Sequence, residues 1–126
     1  MSRLRFYLPH GLTVDDRGQL WVTDVGSHQV FKLAPLAPPT ASNGTAAAAA
    51  AAGPSILLEL GRKLQPGSGD DRFCKPTSVA VVPVSGEFFV ADGYCNSRII
   101  KFSAAAVKLA EWGERMGPFS VLSSLN

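Results

Sequence analysis

His10, His28, Cys74, Tyr94 and Cys95 are side chains of this 126-residue sequence whose types and settings bear on metal binding or catalysis. A neutral imidazole binds a borderline metal such as zinc, and a site with three protein ligands keeps a fourth position open for reaction. A phenol with an unperturbed pKa of about 10 is a poor base at neutral pH, but a nearby cation favours its phenolate. The two cysteines stand 21 residues apart, outside any CxxC zinc spacing, which leaves a disulfide or two buried thiols. By its neighbours alone, His10 is a loop residue between Pro9 and Gly11, and His28 is a structural residue of a polar turn before Val30. Tyr94 read the same way is a turn tyrosine with a satisfied hydroxyl.

The elements that must position these residues come from a repeat. Leu20–Leu33 and Phe88–Phe102 each show an apolar strand ending in Asp (Asp24, Asp92), a short polar turn and a second apolar strand. Upstream of each lies a matching start, Leu8-Pro-His-Gly-Leu-Thr-Val14 and Lys75-Pro-Thr-Ser-Val-Ala-Val81, so the repeating unit is a small antiparallel sheet. Period-2 alternation predicts strands near 11–15, 20–23, 30–33, 56–60, 78–82, 87–91, 99–102 and 109–112, with little helix. Asp15-Asp-Arg-Gly18 and Pro83-Val-Ser-Gly86 supply tight turns between the first two strands of each unit. Because Asp24 and Asp92 end equivalent strands, they are expected to hydrogen-bond turn amides rather than to catalyse.

A third unit opens at the C-terminus, where Trp112-Gly-Glu114 leads to Phe119-Ser-Val121 as Leu60-Gly-Arg62 leads to Phe73. The spacing from Phe73 to Phe119 is close to the roughly 40–45 residues of a four-stranded propeller blade. Residues 34–55, with a Pro-rich start and an alanine run, read as a low-complexity loop insertion. The organisation is then a blade from 1–33 plus 56–64, a second over 73–112 and the opening of a third over 113–126. This is an all-β, partial propeller of about two to two-and-a-half blades; closed propellers have typically four to eight. The chain is therefore expected to be a fragment of a larger ring. A net charge of +2 with scattered basic residues argues against nucleic acid. No apolar run approaches the roughly 20 residues that span a bilayer, and the first ten residues lack an apolar signal core.

Phe6-Tyr-Leu-Pro-His-Gly-Leu12, Trp21-Val-Thr-Asp24, His28-Gln-Val-Phe-Lys-Leu33, Gly61-Arg-x-x-Gln-Pro-Gly67, Phe73-Cys-x-Pro-Thr77 and Asp92-Gly-Tyr-Cys-Asn-Ser-Arg-Ile99 together resemble the peptidyl-alpha-hydroxyglycine alpha-amidating lyases, six-bladed propellers built from NHL repeats. The resemblance implies cleavage of a peptidyl-alpha-hydroxyglycine to a C-terminally amidated peptide and glyoxylate, with zinc held by three histidines and a calcium nearby. It implies that His10 is a zinc ligand, the Leu12 backbone carbonyl a calcium ligand and Tyr94 the active-site tyrosine. It pairs Cys74 with Cys95, which places the protein in the secretory pathway or outside the cell. A peptidylglycine hydroxylating monooxygenase, fused or separate, is the implied partner. The alternative from a different class is a non-catalytic NHL-repeat scaffold that binds protein or ligand.

The departure lies near the C-terminus, where the family pattern Phe-Ser-Val-Pro-His-Ser-Leu is replaced by Phe119-Ser-Val-Leu-Ser-Ser-Leu125. Ser123 stands where a zinc histidine is expected and Leu122 replaces the proline, the change expected of a truncated or mis-spliced product. With one family histidine in place, the isolated chain is expected to be inactive. Non-reducing mass analysis of secreted material should show the Cys74–Cys95 bond; two freely alkylated thiols would refute both the pairing and the secretory assignment.

Overall fold

The computed structural model describes residues 4–35 and 53–114. Eight strands follow in chain order: β1 (Pro9–Val14), β2 (Leu20–Asp24), β3 (Gln29–Leu33), β4 (Ile56–Leu60), β5 (Pro76–Val81), β6 (Phe88–Asp92), β7 (Ser97–Phe102) and β8 (Lys108–Glu114). They form two four-stranded antiparallel sheets in orders β1-β2-β3-β4 and β5-β6-β7-β8, the up-and-down connectivity of propeller blades. All eight expected strands are present and no helix occurs among the described residues. The expected third blade, with Leu122 and Ser123, and most of the insertion lie outside the described residues.

Both inner strands start two residues earlier than alternation alone suggests. The β1–β2 register shifts between Pro9 and Leu12, and the β5–β6 register shifts between Pro76 and Ser78. A bulge keeps a strand going while one extra residue breaks the period, and it re-aims the side chain it carries. His10 and Thr77 occupy these two irregular places. A second difference lies in the turns: Asp24 pairs with Gln29, whereas Asp92 pairs with Arg98 across a turn one residue longer. His28 and Asn96, opposite one another in a simple alignment, are thus not strict structural equivalents, while Gln29 and Arg98 are.

The turn chemistry follows the residues. Asp15 Oδ1 accepts from the amides of Arg17 and Gln19, and its Oδ2 accepts from Trp21 Nε1–H, closing the β1–β2 connection. The alanines at 104–106 form the β7–β8 turn, where Ala106 N–H donates to the Ser103 carbonyl.

The core sits between the sheets. Trp21 and Val30 meet Phe88, Val90, Ile100 and Phe102, with Phe73 from the crossing segment completing the cluster. Trp21 and Phe88 lie 4.6 Å apart between ring centroids, and Phe88 stacks on Phe102 at 5.0 Å. Because strand side chains alternate, Val22, Phe31 and Leu33 face the other side of the first sheet, under Leu4 and Phe6. Phe88, fully buried between two aromatic neighbours, is the keystone of the inter-sheet layer. Phe88→Ala should lower the unfolding free energy by about 3–5 kcal/mol in urea titration, and Arg17→Ala at an exposed turn position should change it by less than about 0.5 kcal/mol.

Candidate functional site

The two bulges bring the chemistry-bearing residues together. His10 Nδ1 lies 3.0 Å from the Thr77 carbonyl, and its Nε2 lies 3.0 Å from the Tyr94 hydroxyl. A carbonyl only accepts, so Nδ1 carries the proton, and Nε2 is left as the acceptor for the phenolic O–H. The rings meet edge to face at 79° with centroids 5.6 Å apart. Both side chains are solvent-accessible, so the pair faces outward from the inter-sheet layer.

Close approach of the backbones makes this possible. A Cβ at Gly11 would stand 3.0 Å from Ser78 Cα and collide with the Thr77 carbonyl, so the residue after His10 has no room for a side chain. Gly11 N–H also donates to Thr23 Oγ1, fixing the bulge. Tyr94 is held from the other side: Cys74 and Cys95 form a disulfide with a Cα–Cα distance of 5.4 Å, which tethers the turn carrying Tyr94 to the start of β5. Closing a loop of this length stabilises the fold by roughly 3 kcal/mol in the chain-entropy picture.

The two aspartates hold backbone, as expected, but reach beyond their own turns. Asp24 accepts from Gly26 and Ser27 within the turn and from Tyr7 and Leu8 upstream. Burial works to raise its carboxyl and is outweighed by these donors, so its pKa lies below the ordinary value. Asp92 accepts from Cys74 N–H, the counterpart of Tyr7, and pairs with the buried Arg98. Arg98 was not legible as a site residue, yet all its N–H groups are used: Nε on Asp92, Nη1 on Glu111 and the Ser68 carbonyl, Nη2 on the Gly69 and Arg72 carbonyls.

His28 is the turn residue expected, with an additional role. Its Nδ1 accepts from the Lys75 N–H at 3.0 Å, across from one sheet to the other. Burial and then the Lys75 cation lower its pKa below the ordinary 6.5, while Asp92 and Asp24 work in the opposite direction.

As a metal site the arrangement is partial. His10, oriented through Nδ1 on a carbonyl as metal-bound imidazoles are, fits as one zinc ligand. The sequence holds two histidines and His28 is engaged elsewhere, so this chain does not itself provide three imidazoles. No cluster of three His, Cys, Asp or Glu side chains placed for a metal occurs among the described residues. Leu12, on the same strand as His10, pairs with Val22 and has an exposed side chain.

The NHL repeat family matches residues 6–33 and 73–102, the spans that hold β1–β3 and β5–β7. The chain is 49% identical over 95% of its length to a mouse (Mus musculus) peptidyl-glycine alpha-amidating monooxygenase, covering 11% of that protein. It is 50% identical over 86% of its length to peptidyl-alpha-hydroxyglycine alpha-amidating lyase 1 of Drosophila melanogaster, covering 17% of it. A Caenorhabditis elegans protein described as a probable lyase of the same kind is 48% identical over 84% of the chain, which covers 25% of it. The chain belongs to the amidating lyase family. It spans a quarter or less of these relatives, and within that span the family framework of two NHL units carries the His10–Tyr94 pair.

Arg98 is the test of that framework. Arg98→Met should lower the unfolding free energy by about 3–5 kcal/mol, because Asp92 and Glu111 stay buried without their guanidinium. Adding Asp92→Asn and Glu111→Gln should recover part of the loss in the same denaturation assay.

Proposed function

We propose that this chain is the part of a peptidyl-alpha-hydroxyglycine alpha-amidating lyase that carries one zinc histidine, His10, the calcium-binding carbonyl of Leu12 and the catalytic tyrosine, Tyr94. The observation that supports this reading best is the 3.0 Å contact between His10 Nε2 and the Tyr94 hydroxyl, two residues chosen from family motifs 84 positions apart. In the reaction, the C–N bond of the hydroxyglycine breaks, the hydroxyl proton leaves as glyoxylate forms, and the amide nitrogen gains a proton. Zinc bound at His10 would supply a Lewis acid that polarises a substrate oxygen and favours the nearby phenolate.

Tyr94, as its phenolate, would take the hydroxyl proton, and its exposure, which leaves room for a peptide end, supports that role. Thr77 orients His10, the Nε2 lone pair that here accepts from the phenol would go to zinc and so leave the oxygen of Tyr94 beside the metal, and the disulfide fixes the turn from which the phenol projects. The substrate is a peptide ending in alpha-hydroxyglycine, the product of a hydroxylating monooxygenase. The disulfide and the family favour the secretory pathway or the extracellular space as its location. No helix among the described residues is long and apolar enough to cross a membrane.

The test is glyoxylate release. The isolated 126-residue chain should bind zinc weakly and release none from a peptidyl-alpha-hydroxyglycine. A chimera in which residues 6–114 replace the matching segment of the fly lyase should bind zinc and turn over. In that chimera, Tyr94→Phe or His10→Ala should lower kcat by about 100-fold or more. Zinc and rate unchanged by His10→Ala would refute the ligand assignment and favour the binding scaffold.

A further inference from the structure

Residues 74–77 hold both members of the His10–Tyr94 pair. The Thr77 carbonyl anchors His10 Nδ1–H, and Cys74 is bonded to Cys95, the neighbour of Tyr94. This segment is itself held by its first two amides: Cys74 N–H donates to Asp92 Oδ1 at 2.8 Å, and Lys75 N–H donates to His28 Nδ1 at 3.0 Å. Lys75 and His28 both have left-handed backbones, φ 59° and 64°; histidine is among the residues that visit this region more often, whereas lysine is not and persists there where its surroundings hold it. The Lys75–His28 bond is therefore a brace on a conformation that Lys75 does not prefer.

We propose that His28 is a positioning residue for the His10–Tyr94 pair: its neutral imidazole braces Lys75 and the 74–77 segment, and protonating it releases the brace and loosens the pair. An amide N–H can only donate, so the bond requires a lone pair on Nδ1, and an imidazolium has none. The groups facing His28 are Lys75 at the start of β5, Asp24 at the end of β2 and Asp92 at the end of β6. Lys75 opposes a second positive charge and the aspartates favour it, with burial siding with Lys75 to lower the pKa. A lowered histidine pKa means that the brace is fully formed above the ordinary 6.5 and is lost as the pH falls through the lowered value. The inference rests on the lyase reading only for its effect on rate.

The experiment has two arms that separate the ideas. In the 126-residue chain, NMR follows the His28 and His10 ring signals, the Lys75 amide exchange corrected for intrinsic pH dependence, and cross-peaks between the His10 and Tyr94 rings. As His28 titrates, Lys75 protection should fall about tenfold, the loss of one hydrogen bond, and the His10–Tyr94 cross-peaks should weaken. His28→Asn, which keeps an acceptor at the same distance from the backbone and tolerates the left-handed conformation, should hold both steady over the same range. Unchanged Lys75 protection in the unsubstituted chain, unchanged cross-peaks, or the same losses in His28→Asn would overturn the proposal. In the chimera, His28→Ala should lower kcat/KM about tenfold, and His28→Asn should restore most of it and remove the part of the acid limb that follows His28. A chimera that never turns over refutes the lyase reading, and the amide exchange still decides the role of His28.

Discussion

A guanidinium with nowhere to go but its five partners is the constraint on which the second sheet depends. Arg98 is fully buried, and its fork spans a carboxylate on β6, a carboxylate on β8 and three carbonyls of the segment that crosses from the first sheet. Removing it would strand buried carboxylates, whereas replacing the whole group by well-packed apolar side chains could cost little, so its value lies less in net energy than in geometry. The crossing segment has few apolar side chains of its own to pack, and the fork gives residues 68–72 a fixed course. That course delivers Phe73 to the inter-sheet core and Cys74 to its disulfide.

The first sheet solves the same problem with less. Gln29, at the place of Arg98, donates to Glu59 as Arg98 does to Glu111, a neutral version with a single bond. Tyr7, at the place of Cys74, donates its amide to Asp24 as Cys74 does to Asp92, with no covalent link beside it. The units share an aspartate that gathers backbone amides at a strand end, and they diverge in how much is fastened around it. The extra turn residue of the second unit accompanies the heavier fastening, and that turn is the one that presents Tyr94.

Most of the fold was legible because strand periodicity records which face each residue takes. Phe88, Val90 and Ile100 alternate with less buried neighbours, and eight strands follow from such patterns and from the Asp15–Gly18 and Pro83–Gly86 turns. Periodicity does not record partners between sheets. The bonds of His10 to Thr77 and Tyr94 join residues 67 and 84 apart, and the bulges that aim them interrupt the alternation on which the strand ends were read. His10 and Tyr94 were found through their motifs. Thr77 and Arg98 stand in the same motifs, but nothing there marks their roles, because a threonine contributing a carbonyl looks like any other and a buried arginine reads as a surface one. The brace by His28 depends on a left-handed Lys75 that no local sequence rule for turns anticipates, since lysine is not a residue that favours that conformation.

The disulfide and the bulges together form a closed circuit: His10, the Thr77 carbonyl, the chain from Thr77 back to Cys74, Cys95, Tyr94 and His10 again. Imidazole and phenol belong to different sheets, yet both are referenced to one short stretch of backbone. A shift of one sheet against the other carries this stretch along with the phenol, because Thr77 lies on β5, and it falls on the single bond from His10 Nδ1–H to the Thr77 carbonyl. Within the second sheet the phenol stays tied to that carbonyl through four residues of chain and one sulfur bridge. Relative motion of the two blades is therefore felt by the pair at one hydrogen bond, while motion inside the second blade is shared by the phenol and the carbonyl that anchors the imidazole.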